Sequence, residues 1–175
     1  MVSDTSAIIN LAAVGQLDLL RQLYGKIAIP QAVYHEITVV GAGQPGATEA
    51  QTLEWIETRE VTNDALVTAL QVELDVGEAE AIALAVELKA DILLLDERLG
   101  RAVASRLGLR CIGLLSVLIE AKDRGLIPAM KPILNNLIAK AGFWISDRLY
   151  ARVLQAAGEL GHPRPEGDHA PDGGD

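Results

Sequence analysis

The sequence predicts a single α/β domain built on a mostly parallel sheet, and three features of its 175 residues lead to that class. The chain is 50% apolar, enough to fill one sizeable core at a length typical of one domain. Aromatic residues supply only 3%, which suits helices packed on a sheet better than a sandwich of aromatic-rich strands. Short, almost purely apolar runs alternate with longer amphipathic stretches, as expected of strands buried on both faces and joined by helical crossovers.

VSD at the start reads as the first strand, followed by the helical stretches SAIINLAAV and LDLLRQLYG. KIAIP, at 26–30, is the second strand, and PQAVYHEITVV continues as a helix with Pro30 suited to its first position. GAGQPGA, at 41–47, is a loop, after which Thr48 and Gln51 have the spacing of a capping box that opens another helix. IETREV at 56–61 is the third strand, ALVTALQVEL and GEAEAIALAVELKA are helices, and DILLLD at 91–96 is the fourth strand. A helix then runs to Leu107, and LRCIG at 109–113 is the fifth strand. Beyond Gly113 the pattern is all helical: LLSVLIEAKDRG, AMKPILNNLIAKA, and SDRLYARVLQAAGEL with Ser146 as N-cap. The chain thus divides into an α/β core over 1–113, a helical extension over 114–160 packed on the same domain, and a tail over 161–175. That tail is too rich in Pro, Gly and Asp to order itself.

The formal charge of −9 argues against broad electrostatic capture of nucleic acid, although EGDHAPDGGD in the tail contributes four acids and no Lys or Arg. Four arginines, Arg98, Arg101, Arg106 and Arg110, cluster after Asp96; they read either as an exposed helix face or as contacts for a phosphate backbone. The single cysteine, Cys111, excludes an intrachain disulfide and fits a reducing cytoplasm. MVSDTSAIIN has no basic leader region, and no apolar run approaches the ~18 residues of a membrane span, so neither export nor membrane insertion is expected. One Cys and no metal-spaced His pair disfavour zinc, and there is no Ser-His-Asp, Cys-His or Walker arrangement. GAGQPG has the letters of a dinucleotide fingerprint but follows a helix and contains Pro45, so it reads as a flexible loop. His162 and His169 lie in the tail, and His35 projects away from the apolar stripe of its helix.

The chemistry concentrates in carboxylates. Asp4 and Asp96 each close a predicted strand at the edge where open parallel sheets bind ligands, though either alone could simply cap a helix. Glu36 borders the stripe of Val33, Ile37 and Val40, where an ordinary boundary glutamate is the alternative. On the helix from Gly77 to Lys89, Glu80 and Glu87 share a face that reads as solvated. Glu78 points almost opposite, flanked by Ile82 and Ala85, and its first-turn place also suits the helix dipole. Four carboxylates meeting without a counter-charge would repel one another, so such a cluster makes physical sense around a divalent cation. Hard oxygen donors favour Mg²⁺ or Mn²⁺, and such centres perform phosphoryl hydrolysis. Thr5, Ser6 and Asn10 follow Asp4, where they could meet a metal-bound water or a phosphate, with N-capping of the first helix the alternative for Ser6. Glu80 and Glu97 are secondary candidates.

VSDTS, IPQAVYHEI and GEAEAIALAVELKADILLLDER together resemble the acidic motifs of the PIN-domain nuclease family, which includes the VapC toxins. The resemblance covers Met1 to about Gly113, and matching its interval back from Asp96 also selects Glu78 over Glu80. GLIPAMKPILNNL and GFWISDRLYARVL resemble a PIN-like subgroup of uncharacterised function with extra C-terminal helices. The resemblance implies a three-layer α/β/α sandwich with a mostly parallel central sheet. It also implies an Mg²⁺- or Mn²⁺-dependent ribonuclease with RNA as substrate, commonly a homodimer and often the toxin of a toxin-antitoxin pair inhibited by a small partner protein. The chain departs from the family in carrying Glu78 where Asp is more usual, and in its acidity. A catalytically silent PIN-like module that binds proteins through its C-terminal helices is the rival reading; a small-molecule phosphatase lacks a phosphate loop.

Overall fold

Which layer each strand residue joins follows from the two-residue period of a strand. Val2, Leu93 and Leu95 pack into one buried cluster, whereas Ile27, Ile29 and Leu94 pack into another on the opposite face of the sheet. The computed structural model describes residues 1–160, so the tail over 161–175, with His162 and His169, lies outside the described residues.

The elements run β1 (Val2–Ser3), α1 (Thr5–Ala13), α2 (Asp18–Tyr24), β2 (Ile27–Pro30), α3 (Gln31–His35), α4 (Ala47–Thr52), β3 (Ile56–Arg59), α5 (Asp64–Leu70), α6 (Val76–Glu87), β4 (Leu93–Leu94), α7 (Arg98–Arg106), β5 (Cys111–Ile112), α8 (Leu114–Asp123), α9 (Lys131–Ala141) and α10 (Asp147–Ala156). The strands form one all-parallel sheet in the order β3-β2-β1-β4-β5, with Ser3 opposite Leu94. Helices α5, α6 and α7 contribute to the first cluster, and α1, α2, α3, α8, α9 and α10 to the second. This is the PIN-like three-layer α/β/α sandwich with C-terminal helices that the resemblance implies.

Several local expectations are corrected. The fourth strand is paired only over Leu93–Leu94 and the third ends at Arg59, because regular pairing stops where neighbouring strands run out. Pro30 is the last residue of β2 and the N-cap of α3, not its first helical residue. The capping box at Thr48 does not form: α4 starts at Ala47, and Glu49 accepts from the Gly46 N–H at 3.1 Å instead. Gly46 sits at φ 94°, a left-handed conformation that glycine adopts without strain. After His35 the helix widens into a π-helical turn over Glu36–Val40, with Gly41 N–H donating to the Glu36 carbonyl at 2.8 Å. The extra residue per turn rotates the stripe, so Val33 and Ile37 stay buried, Thr38 joins them, and Val40 is 76% exposed. Ser146 does cap α10, accepting from Leu149 N–H.

The C-terminal helices share one core with the N-terminal ones. Leu134 and Leu137 of α9 and Val117 and Leu118 of α8 are buried in the same cluster as Ile8 and Leu11 of α1 and Leu20 of α2. Replacing Leu134 by Ala should therefore destabilise the whole chain by about 2–5 kcal/mol in one cooperative transition. Thermal unfolding followed by circular dichroism checks this; an early partial transition with the main one unmoved would contradict it.

Candidate functional site

The strand order reverses at β1: the chain steps outward to β2 and β3, then returns to place β4 on the other side of β1. At such a point the flanking helices diverge and leave a crevice beyond the carboxyl ends of the strands. Asp4 directly follows β1, and Asp96 lies two residues beyond β4. A cleft of about 480 Å³ opens there, its walls carrying the carboxylates of Asp4, Glu36, Asp75, Glu78 and Glu97 together with Thr5 and Ser6. No Lys, Arg or His lines it among the described residues.

Asp4 is only 4% exposed. Its Oδ1 accepts from the Ala7 N–H at 3.1 Å, so Asp4, not Ser6, caps α1, and its own N–H donates to the Leu94 carbonyl at 3.0 Å. Burial pushes its carboxyl up to about 7; the charges of Asp96 and Glu78 push the same way, and the Ala7 and Asp96 amides oppose them.

Glu36 opens the π-helical turn, and its Oε2 accepts from Thr5 Oγ1. Residue 77 of α6 is glycine, and the Glu36 carboxylate occupies the space a side chain there would take: a Cβ would lie 2.8 Å from both Glu36 carboxylate oxygens. Gly100 does the same for Glu78, since its Cβ would fall 2.9 Å from Glu78 Oε1. The Glu78 amide is capped by Asp75 Oδ1 at 2.8 Å. Burial raises the Glu78 carboxyl above its ordinary range, with the charges of Asp75, Glu97 and Glu36 adding to the shift.

Asp96 is placed differently. The strand period sends its side chain to the face of Leu94, towards α8, where Oδ1 accepts from the Leu114 N–H at 2.8 Å. Asp96 therefore borders a neighbouring groove and not the walls of the cleft. Burial raises its carboxyl, against the Leu114 amide and the positive charge of Arg101.

Glu78 Oε1 and Asp96 Oδ2 are the buried side-chain oxygens without a hydrogen-bond partner among the described residues. None of the ion pairs among the described residues involves Asp4, Glu36, Glu78 or Asp96. Nor, among those residues, do three acidic, His or Cys side chains converge closely enough to enclose a metal ion by themselves.

The other sequence candidates separate. Thr5 and Ser6 line the cleft, whereas Asn10 is half-buried further along α1 and does not. Glu97 lines the cleft as the exposed N-cap residue of α7. The solvated reading of Glu80 and Glu87 is corrected: α6 is packed nearly all round, so both are half-buried and bond backbone amides. Glu80 accepts from Ala32 N–H at 2.9 Å, and Glu87 from Thr62 and Asn63 N–H at 2.9 and 2.6 Å. Asp75 was missed, although Asp75-Val-Gly-Glu78 before an apolar helical run has the spacing of a capping box.

A family model for DUF3368, described as a PIN domain, matches residues 1–159. The chain is a PIN domain. The matched region of this PIN domain runs through α10, so it takes in the C-terminal helices as well as the sheet, and its fold is of the nuclease type. No curated protein matches the chain significantly. No helix among the described residues is long and apolar enough to cross a membrane.

The raised Asp4 carboxyl sets a stability test. Between the unfolded value of 3.8 and the folded value of about 7, the folded state binds more protons than the unfolded one. Stability without divalent cations should therefore fall as pH rises through that window and level off above it. Asn also caps helices and does not ionise. The stability of wild type relative to Asp4→Asn should thus drop by up to about 4 kcal/mol from pH 4 to pH 8, measured by urea unfolding in chelator. A difference that stays flat with pH would show that Asp4 titrates normally.

Proposed function

We propose that this PIN domain is an Mg²⁺- or Mn²⁺-dependent endoribonuclease that hydrolyses RNA phosphodiester bonds. The observation that carries the reading is the buried Asp4, which faces Glu36 and Glu78 across a cleft without a lining cation. Two buried oxygens left without partners, on Glu78 and Asp96, support a missing electropositive group at this edge. The donor set is oxygen only, which matches a hard cation. Mg²⁺ typically keeps several waters and takes one or two protein carboxylates directly, so acids spaced more widely than a closed cage fit it.

Asp4, Glu36 and Glu78 would hold the ion from the cleft walls, and Asp96, whose charge acts on Asp4, would reach it from the neighbouring groove. When bound, it would supply Lewis acidity toward a phosphate oxygen and a water of lowered pKa. The protein's own part is placement. The Ala7 amide holds one oxygen of Asp4, the Thr5 hydroxyl fixes the rotation of the Glu36 carboxylate, and Gly77 and Gly100 leave the space those acids occupy. Without a cation, burial raises the Asp4 carboxyl to about 7, and a bound divalent ion would offset that cost by holding it ionised. A toxin role in the cytoplasm, with a homodimer and a small inhibitory partner, follows from the family resemblance as part of this reading. A silent protein-binding module is the rival reading, since fewer than three convergent donors among the described residues is also what such a module would show.

Cleavage of labelled RNA in Mn²⁺ should fall at least about 100-fold in Asp4→Asn and in Glu78→Gln. Equal cutting by the variants would assign the activity to a contaminant. Calorimetric titration with Mn²⁺ separates the rival, which should show no binding that depends on these carboxylates. Gly77→Ala is a sharper probe, because its Cβ collides only with the movable end of Glu36. Stability should change by less than about 1 kcal/mol, since Ala suits a helix better than Gly, while Mn²⁺ affinity should fall about tenfold or more.

A further inference from the structure

Beside the carboxylate cleft lies a larger groove of about 710 Å³. The two are contiguous, since Glu97 lines both and Asp96 stands at the start of the groove. One wall carries Arg98 and Arg101 from α7. The other is apolar, formed by Leu115 and Ile119 of α8 and by Phe143 and Trp144 of the loop between α9 and α10. Trp144 is 83% exposed in a chain that has only two tryptophans.

Its loop is anchored at both ends. Gly142 ends α9 in a left-handed conformation at φ 65°, Phe143 N–H donates to the Leu137 carbonyl at 3.1 Å, and Phe143 packs against the core. Ser146 then caps α10. The fold therefore holds a flat aromatic face out toward solvent instead of tucking it away. Arg98 and Arg101 take part in none of the ion pairs among the described residues. The Arg101 guanidinium and the Asp96 carboxylate close around Gly113, whose Cβ would lie 3.0 Å from Arg101 Nη1 and 2.8 Å from Asp96 Oδ1.

We propose that this groove is a nucleotide subsite for single-stranded RNA. A base flanking the scissile bond stacks on Trp144, and its phosphate is held by Arg98 and Arg101. The inference deepens the nuclease reading and rests on it for the direction of the strand. The cleft's carboxylates repel phosphate, so in a chain of net charge −9 the cations must stand on the approach to the cleft, and these two do. An exposed aromatic beside arginines is how sequence-tolerant single-strand sites work, because every base offers a π face. A base paired within a duplex is stacked between its neighbours and cannot reach the indole.

The test measures binding apart from cleavage: anisotropy of a labelled RNA of about ten nucleotides with the Asp4→Asn protein in chelator. Adding Trp144→Ala should weaken binding about tenfold, while Trp144→Phe should remain within about threefold. Removing Arg98 and Arg101 together should lower the slope of log affinity against log salt by about 0.7, the share of the one phosphate they hold. A duplex of the same sequence should be indifferent to Trp144. Unchanged single-strand affinity in Trp144→Ala overturns the subsite. So does Trp144 emission, read against the Trp144→Phe protein, that shifts on dilution without RNA, which would give the groove to a second copy of the chain. Trp144-dependent binding without Mn²⁺-dependent cleavage by the wild type leaves the subsite standing and removes the nuclease reading.

Discussion

A carboxylate taken out of water has to be met by amides, by a proton or by a cation, and most of this fold's sheet edge is organised around that requirement. Elsewhere the chain meets it with backbone. Glu49 serves the start of α4, Glu80 the start of α3, Glu87 the entry to α5, and Glu159 accepts from the Met130 and Lys131 amides at the start of α9. At the carboxyl edge of the sheet the same solution is applied only halfway. One oxygen each of Asp4 and Asp96 receives an amide, while Glu78 Oε1 and Asp96 Oδ2 receive nothing. The contrast within one molecule is plain: among the described residues, these two are the buried side-chain oxygens left without a partner.

The walls of the cleft come together because side chains are missing from them. Gly77 on α6 gives its space to Glu36, Gly100 on α7 gives its space to Glu78, and Gly113 before α8 gives its space to Asp96 and Arg101. Alanine dominates the rest of α6, where Ala79, Ala81, Ala83 and Ala85 are all buried, so this helix lies close to the sheet and carries Glu78 inward with it. The π-helical turn adds the remaining adjustment, since it opens at Glu36 and ends the α-helical register there.

The C-terminal helices belong to this arrangement structurally as well as by family match. Asp96 stands at the junction: its carboxylate bonds the first amide of α8, and the groove that begins beside it is floored by α8 and walled by the loop before α10. A residue that reads as one member of an acidic quartet therefore also fixes where the helical extension meets the sheet.

The order of strands and helices and the parallel sheet were legible because apolar runs and helical periods are local properties of the chain, while the three-layer class came from the resemblance to PIN domains. The strand ends also pointed to Asp4 and Asp96, and the helical face to Glu78, as candidates at this edge; Asp4 and Glu78 line the cleft, while Asp96 borders the groove beside it. Some points lay beyond local pattern. They are the π-helical turn that turns Val40 outward, the amide partners of Glu80 and Glu87, and the entry of Asp75 into the cleft. Sequence by itself determined which segments are strands and which residues bear charge, because those follow from side-chain chemistry at spacings of two and three to four. Tertiary structure alone decided which carboxylates share a cleft and which are diverted to a helix end. That outcome depends on the switch in strand order at β1 and on the contacts that glycines permit between elements distant in the chain.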